Sequence, residues 1–287
     1  MFSRQGSTFP LSANASNSSR LNLMKKYLTV FKTSWANELE YRAAFLLARS
    51  RNIIYLLLLY YVWLSLSKMT GRFAMYGTEE LTTYVFGAHL LRSVIFGAQS
   101  RLPAWEINDG TFSIFLVRPV SHFWFVFWRE LAQRAIYFAS AVAELVIFVW
   151  LTRANFLGLV DWGVTIIILI TIINAIFLYF LLTYLVNLFA FWSREAMGPR
   201  FLFEWFLEFG SGAFFPLDIL SKTLLITFQF LPFAYIVYFP LKTYLGKWDP
   251  WQIATGISIQ IVFIIIFSLL VIFTWRRGLR RYSGEGI

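Results

Sequence analysis

The sequence predicts an all-α integral membrane protein with six transmembrane helices, an N-terminal amphipathic interfacial helix and a re-entrant helical hairpin between the fifth and sixth spans. Of the 287 residues, 59% are hydrophobic and only 14% are charged, whereas a soluble domain carries about 25% charged residues. Several apolar runs reach the length of about 20 residues that a helix needs to cross a bilayer. Lys and Arg are concentrated in alternate loops, as the positive-inside rule describes.

The N-terminal region predicts two elements. Residues 1–22 are rich in Ser and Asn and have no apolar core, so they predict a disordered tail and not a secretory signal peptide. In residues 23–47, apolar side chains recur at helical spacing: Met24, Leu28, Phe31, Trp35, Leu39 and Leu46. Polar residues fall on the opposite face: Lys26, Thr33, Asn37 and Glu40. This pattern predicts an amphipathic helix in the membrane interface, either a simple anchor or a lever joined to the first span.

The remaining chain, 23–287, predicts a single transmembrane domain. The six predicted spans are 50–67, 81–100, 130–151, 164–190, 201–220 and 251–274. A further apolar stretch, 223–239, is too short to span comfortably and contains Pro232 at its middle. We therefore expect it to form two short helices that re-enter from the outside within segment 221–246, packed against protein or lining a cavity. The apolar face expected to pack against the fifth and sixth spans comprises Leu224, Leu225, Phe228, Tyr235, Ile236 and Phe239.

The charge distribution sets the predicted topology. With six spans and both termini in the cytoplasm, eighteen of the 25 Lys and Arg residues lie inside and six outside, with Arg92 within a span. The net charge of +10 therefore reflects this asymmetry and does not indicate nucleic-acid binding.

Several classes of chemistry have no support in the sequence. There is no cysteine and there are only two histidines, so disulfides, thiol catalysis and a metal site are not expected. The phosphate-binding pattern G-x-x-x-x-G-K-[ST] and the zinc-protease pattern H-E-x-x-H are both absent. We therefore expect a protein that is not itself an enzyme.

Four ionisable residues fall within predicted spans, and such residues are costly enough to mark candidate functional sites: Arg92, Glu144, Glu204 and Glu208. Glu204 and Glu208 share a helix face near Arg200, which favours an interfacial salt bridge. Glu144 lies deeper and is either a cavity residue or the structural partner of a residue such as Arg92.

Several stretches resemble the ABC-2 permease family, the membrane subunits of type V ABC exporters. The segment "WEINDGTFSIFLVRPVS" (105–121) is similar to the family signature through its acidic, glycine and proline positions: Glu106, Ile107, Gly110, Phe112, Leu116 and Pro119. Residues 25–47 resemble the family's connecting helix, 209–220 its small-residue segment, 231–246 its external hairpin and "RRGLRRYSGEGI" its tail. The likeness is greatest to bacterial subfamilies that pair such permeases with a separate ATPase.

The resemblance implies a role for the loop 101–121 as a coupling helix that docks into a groove on the ATPase. Phe112, Phe115 and Leu116 would be its buried anchors. Glu106, Asp109 and Arg118 would be charges at the rim, and Asp109-Gly110 would form the turn. The alternative is an interfacial loop whose phenylalanines dip into lipid.

The resemblance also implies the permease subunit of an ATP-driven exporter in a bacterial cytoplasmic membrane. The chain would pair with a second copy or a homologous permease and would bind no cofactor. ATP and Mg would bind to two partner ATPase subunits. Candidates for the translocation path or gate are Glu144, Phe203, Phe206, Phe209, Gly210, Gly212, Pro216 and Pro232. The alternatives are an ion-coupled secondary transporter, although no internal repeat is visible, and then an integral membrane enzyme. The substrate stays open.

Overall fold

The computed structural model describes residues 12–40, 42–70, 75–98, 101–158, 161–193 and 197–282, and the regular elements in these ranges are helices. The α-helices are α1 Ser12–Glu40, α2 Arg42–Thr70, α3 Thr78–Leu91, α4 Leu102–Asn108, α5 Ser113–Val117, α6 His122–Thr152, α7 Trp162–Leu188, α8 Met197–Gly210, α9 Lys222–Gln229, α10 Tyr238–Tyr244 and α11 Pro250–Arg281. An all-helical fold is as predicted.

Among the described residues, four helices are long and apolar enough to cross a membrane: Phe45–Lys68, His122–Thr152, Trp162–Phe191 and Pro250–Arg281. They include the predicted spans 50–67, 130–151, 164–190 and 251–274. The other two predicted spans form shorter helices. In 81–100, α3 has 14 residues and continues as a five-residue π-helix, Arg92–Phe96. In 201–220, α8 ends at Gly210 after 14 residues, which is about 21 Å of helix against a hydrocarbon core of about 30 Å.

The long helices begin at residues that satisfy their free backbone N–H groups. The Asp161 carboxylate accepts a hydrogen bond from the Gly163 N–H (2.9 Å) at the start of α7. At the start of α11, Asp249 accepts from the Gln252 N–H (2.8 Å), and the Gln252 side chain accepts in return from the Asp249 N–H (3.1 Å). This reciprocal capping, followed by Pro250, fixes the first turn of the helix.

The N-terminal helix begins earlier than predicted and packs on protein. α1 starts at Ser12, within the tail predicted to be disordered up to residue 22, and residues 1–11 lie outside the described ranges. Phe31 contacts Trp128, and Glu38 accepts a hydrogen bond from Gln133 (3.0 Å), so α1 runs parallel to the first half of α6. Phe31 and Trp35 are half-buried. The other predicted apolar positions stay exposed: Met24, Leu28, Leu39 and Leu46.

The bundle has two ends that differ in composition. At one end, which we call the α4–α5 end, the start of α6 and the ends of α7 and α11 surround Phe112. At the other, which we call the hairpin end, the segment 217–245 packs over α3, α7 and the first half of α11. α7 and α11 run parallel between these two ends. Near the hairpin end, the Gln260 side chain donates to the Thr171 carbonyl oxygen (3.1 Å). Near the α4–α5 end, Phe191 lies against Gly278.

The hairpin is broken where the sequence predicted. α9 ends at Gln229, Leu231 is extended (φ −100°, ψ 153°), and a 3₁₀-helix occupies Pro232–Tyr235. Pro232 imposes this break because it cannot donate a backbone hydrogen bond and disfavours helix at the residue before it. The predicted packing face is buried at four positions: Phe228, Tyr235, Ile236 and Phe239. The prediction for Leu224 is wrong, because this side chain is exposed.

Gly256→Ala is expected to loosen the hairpin from α11. A Cβ at Gly256 would lie 2.1 Å from Cε2 of Phe239, a separation that forces the ring or the helix to move, with a cost of about 1–3 kcal/mol. Thermal unfolding of the purified chain in detergent should therefore shift to lower temperature. The matched control is Gly198→Ala, another helical position, where a Cβ meets nothing within 4 Å. Equal stability of the two variants would contradict close hairpin packing.

Candidate functional site

The segment between α3 and α6 contains two short helices joined by a tight turn. The Asp109 carboxylate accepts hydrogen bonds from the Thr111 N–H (3.0 Å) and hydroxyl (2.7 Å). Gly110 has φ +83°, a left-handed conformation that glycine adopts without steric cost. The turn therefore lies where the sequence predicted, between α4 and α5.

The inner face of this segment is part of the protein's own core. Phe112 is 0% exposed and contacts four rings edge-on at 5.1–5.6 Å: His122, Phe191, Trp275 and Tyr282. Ile107 is also fully buried. The prediction that Phe112 inserts into a partner is therefore wrong for this structure, since its side chain already fills a site between α6, α7 and α11.

Glu106 is an internal hydrogen-bond acceptor and not an exposed rim charge. His122 Nε2 donates to its carboxylate (2.9 Å), and Arg129 donates to the other oxygen (3.2 Å). Burial alone would raise the pKa of Glu106, but the His122 hydrogen bond and the Arg129 charge outweigh it, so this pKa lies below its usual value. His122 Nδ1 in turn lies 2.8 Å from the Tyr184 hydroxyl oxygen. The role predicted for Glu106 is thus corrected: it ties α4 to α6 and α7.

α5 also presents exposed apolar side chains, which we call the outer patch: Ile114, Leu116 and Val117. These side chains are 43%, 54% and 83% exposed. Asp109, Arg118 and Pro119, three of the predicted docking residues, are exposed beside them. Sequence reasoning did not single out Ile114 and Val117 as part of this surface. Ile114 and Val117 are three residues apart, as Phe112 and Phe115 are, but the two pairs are offset by two residues. This offset places Ile114 and Val117 on a different face of the helix.

Phe115 lies between the buried Phe112 and the exposed outer patch. It is half-buried, with its ring 4.7 Å from His122 and 5.0 Å from Phe125. The Tyr282 hydroxyl donates to the Gly110 carbonyl (2.9 Å), which attaches the turn to the end of α11. A force on α5 would therefore be transmitted directly to α6, α7 and α11.

The predicted intramembrane charges are all paired in the structure. Glu144 accepts two hydrogen bonds from Arg49 (2.5 and 2.6 Å), and His89 Nε2 lies 3.1 Å from the same carboxylate. Arg92 instead pairs with Glu208 (2.5 Å). The prediction that Arg92 could neutralise Glu144 is therefore wrong.

Two further ion pairs lie in the same half of the bundle. The predicted pair Arg200–Glu204 is confirmed at 2.7 Å, and Arg200 also donates to Asn187. The pair Arg134–Glu130 (2.8 Å) is almost wholly buried and was not predicted. Its i, i+4 spacing on α6 is the signal that could have found it.

The remaining path candidates converge on the tip of the hairpin, except Glu144. Phe203 and Phe206 contact the Phe233 ring, and Phe209 contacts Phe228. A Cβ at Gly210 would lie 2.9 Å from the Phe228 ring. Gly212 has φ +81°, and Pro216 and Pro232 are buried at the starts of two 3₁₀-helices. The end of α8 and the hairpin thus form one packed unit.

One family of known proteins matches most of the chain. Residues 52–286 match a family model described as "ABC-2 family transporter protein". No curated protein and no solved structure matches the chain. The match includes every helix from α3 to α11 and ends beyond the last described residue. The chain, a multi-pass membrane protein, therefore belongs to the ABC-2 family of transporter proteins and is a permease subunit of an ABC transporter.

Proposed function

We propose that this permease serves an ATP-driven exporter, crosses the membrane six times with both termini in the cytoplasm, and binds its ATPase through the outer patch. The observation that carries the proposal is that one face of the α4–α5 segment is anchored in the core, whereas the outer patch is not covered by any described part of the chain. A mobile ATPase can move the bundle only through a segment that is both exposed to it and rigidly attached to the helices.

The course of the chain supports six passes. α6 leaves the α4–α5 end and reaches the hairpin end, where the Leu157 N–H donates to Thr83 near the start of α3. α7 returns, and Arg200 near the start of α8 donates to Asn187 near the end of α7. α8 then reaches the hairpin, where the Tyr238 N–H donates to the Ser211 carbonyl (2.8 Å). Successive long and short helices thus run in opposite directions.

The charges support the cytoplasmic assignment of the α4–α5 end. The last turns of α11 carry four exposed arginines, Arg276, Arg277, Arg280 and Arg281, and this end also holds Arg118 and Arg129. Such enrichment is typical of cytoplasmic loops. If the α4–α5 end is cytoplasmic, α1 also begins on the cytoplasmic side. Its exposed Met24 and Leu28 then fit contact with the lipid interface.

The outer patch has the composition of a small docking surface. Apolar side chains at its centre and Asp109 and Arg118 at its edge fit the usual arrangement of an apolar core within a polar rim. ATP and Mg would bind to the partner ATPase dimer, because the chain lacks a phosphate-binding loop.

A second permease, identical or homologous, would cover the exposed aromatic face of α8: Phe201, Leu202, Trp205, Phe206 and Phe209. The translocation path would run between the two copies, and the hairpin packed on α8 would close its outer end. Pro232 keeps that hairpin broken, so it is the position at which the proposed gate would bend.

The ion-coupled alternative has less support. A coupling acid must gain and lose a proton, yet in the described residues Glu130, Glu144, Glu204 and Glu208 each pair with an arginine. These acids therefore fit a structural role better than a proton-carrying one.

Cysteines at Val117 and Ser221 test the proposal, since the chain has no native cysteine. A membrane-impermeant thiol reagent added to intact cells should label Ser221→Cys, in the hairpin, and should not label Val117→Cys. A photoactivated crosslinker on Val117→Cys should capture the ATPase subunit, whereas the same reagent on Ser221→Cys should not. External labelling of Val117→Cys would refute the topology, and crosslinks to lipid alone would refute the docking site.

A further inference from the structure

A groove opens between α6, α7 and α11 at the α4–α5 end of the bundle, beside α5. Its volume is about 580 Å³, within the range of about 300–1,000 Å³ typical of ligand sites. The floor is formed by buried side chains, including Leu181, Tyr184 and Val271. Of the outer patch, Leu116 lines this groove, whereas Ile114 and Val117 do not.

The rim shows from which direction a ligand would enter. Trp124 and Ile272 line the groove and are 44% and 48% exposed. Both are exposed apolar side chains of helices long enough to cross the membrane, so they fit contact with lipid at the side of the bundle. Trp124 and Trp275 also indicate its depth, because tryptophan is enriched where acyl chains meet head groups.

One cation marks the mouth of the groove. Arg276 lines it and is exposed, and no acidic residue in the described part of the chain forms an ion pair with it. Arg277 follows directly but turns away, with its guanidinium 4.5 Å from the Phe273 ring centroid. An apolar cleft with a single arginine at its cytoplasmic mouth is complementary to an acyl chain joined to an anionic head group.

We propose that this groove binds one anionic phospholipid of the bilayer, with an acyl chain between Trp124 and Ile272 above Val271 and the phosphate at Arg276. The site goes beyond the proposed docking function. The two are structurally connected, because Phe115 and Leu116 of α5 also line the groove. A bound acyl chain would fill the space behind α5 and hold the outer patch in position.

Native mass spectrometry of the purified full-length chain tests the proposal with two phospholipids of equal acyl chains, phosphatidylglycerol and phosphatidylcholine. We expect phosphatidylglycerol to bind more tightly than phosphatidylcholine. Arg276→Gln should weaken phosphatidylglycerol binding by roughly fivefold, the effect of one basic residue near an anionic lipid. It should leave phosphatidylcholine binding unchanged. Arg277→Gln is the matched control and should bind both lipids like the unmodified chain.

Ser268→Trp tests the apolar part of the site. Ser268 lines the groove and is half-buried, so a tryptophan there should fill the groove and reduce the binding of both lipids. Equal affinity of the unmodified chain for the two lipids would overturn the proposal, and so would equal losses in Arg276→Gln and Arg277→Gln, which indicate diffuse attraction. Capture of the ATPase by the same preparations reports separately on the docking function.

Discussion

Phe112→Asp is expected to prevent the chain from folding, whereas Val117→Asp is expected to leave it folded and to abolish ATPase binding. The two residues lie five positions apart in the same short segment, but Phe112 is fully buried and Val117 is the most exposed residue of the outer patch. Removal of a buried phenylalanine alone costs about 3–5 kcal/mol, and an unpaired buried carboxylate adds to that cost.

Val117→Asp acts on the interface and not on the fold. Substitutions at exposed positions usually change stability by less than about 0.5 kcal/mol. Burial of the new carboxylate against an apolar groove on the ATPase would cost several kcal/mol, and about 3 kcal/mol already weakens binding by more than 100-fold. Size-exclusion chromatography in detergent measures folding, and co-purification measures ATPase binding.

Each other outcome has a definite meaning. A folded Phe112→Asp variant that lacks only its ATPase would restore the prediction made from the family resemblance, in which Phe112 is a docking anchor. Retention of the ATPase by Val117→Asp would move the docking surface away from the outer patch.

The sequence predicted the long helices well because their signal is local. Residues 164–190 and 251–274 are continuous apolar runs, and the structure forms helices that include both. The predicted spans 81–100 and 201–220 are interrupted by features that hydropathy does not register. In the first, the helix changes to π geometry at Arg92. In the second, Gly210 ends the helix where a Cβ would meet Phe228 and Phe233.

The orientation of the α4–α5 segment could not be predicted in this way. Both faces of α5 are apolar, with Phe112 and Phe115 on one and Ile114 and Val117 on the other. Composition alone cannot say which face the protein covers itself. Long-range contacts determine which face is buried, since Phe112 packs against residues as distant in sequence as Trp275 and Tyr282.

The buried ion pairs show the same division between local and long-range signals. Arg200 and Glu204 are four residues apart on one helix, so their pairing could be predicted from spacing alone. Glu144 pairs with Arg49, which lies 95 residues away and precedes the predicted first span. The parallel packing of α1 and the start of α2 along α6 brings the two together, and that packing has no simple sequence signature.

Glu144→Gln is expected to destabilise the chain by about 3–5 kcal/mol, the usual cost of leaving one partner of a buried ion pair uncompensated. The Arg49 and Glu144 side chains are 5% and 10% exposed, so little water reaches the arginine when the carboxylate is neutralised. The free energy of unfolding, measured by titration with SDS in mixed micelles, should fall by this amount.

The matched variant removes both charges. Arg49→Met combined with Glu144→Gln leaves no uncompensated charge, and the glutamine can still hydrogen-bond His89. Replacement of a whole buried pair is often close to neutral, so the double variant should recover most of the stability lost by Glu144→Gln. An ion-coupled transporter makes the opposite prediction, in which Glu144→Gln is stable and inactive because the carboxylate carries a proton. A Glu144→Gln chain as stable as the unmodified protein would therefore revive that alternative, whereas recovery in the double variant identifies Glu144 as a structural partner of Arg49.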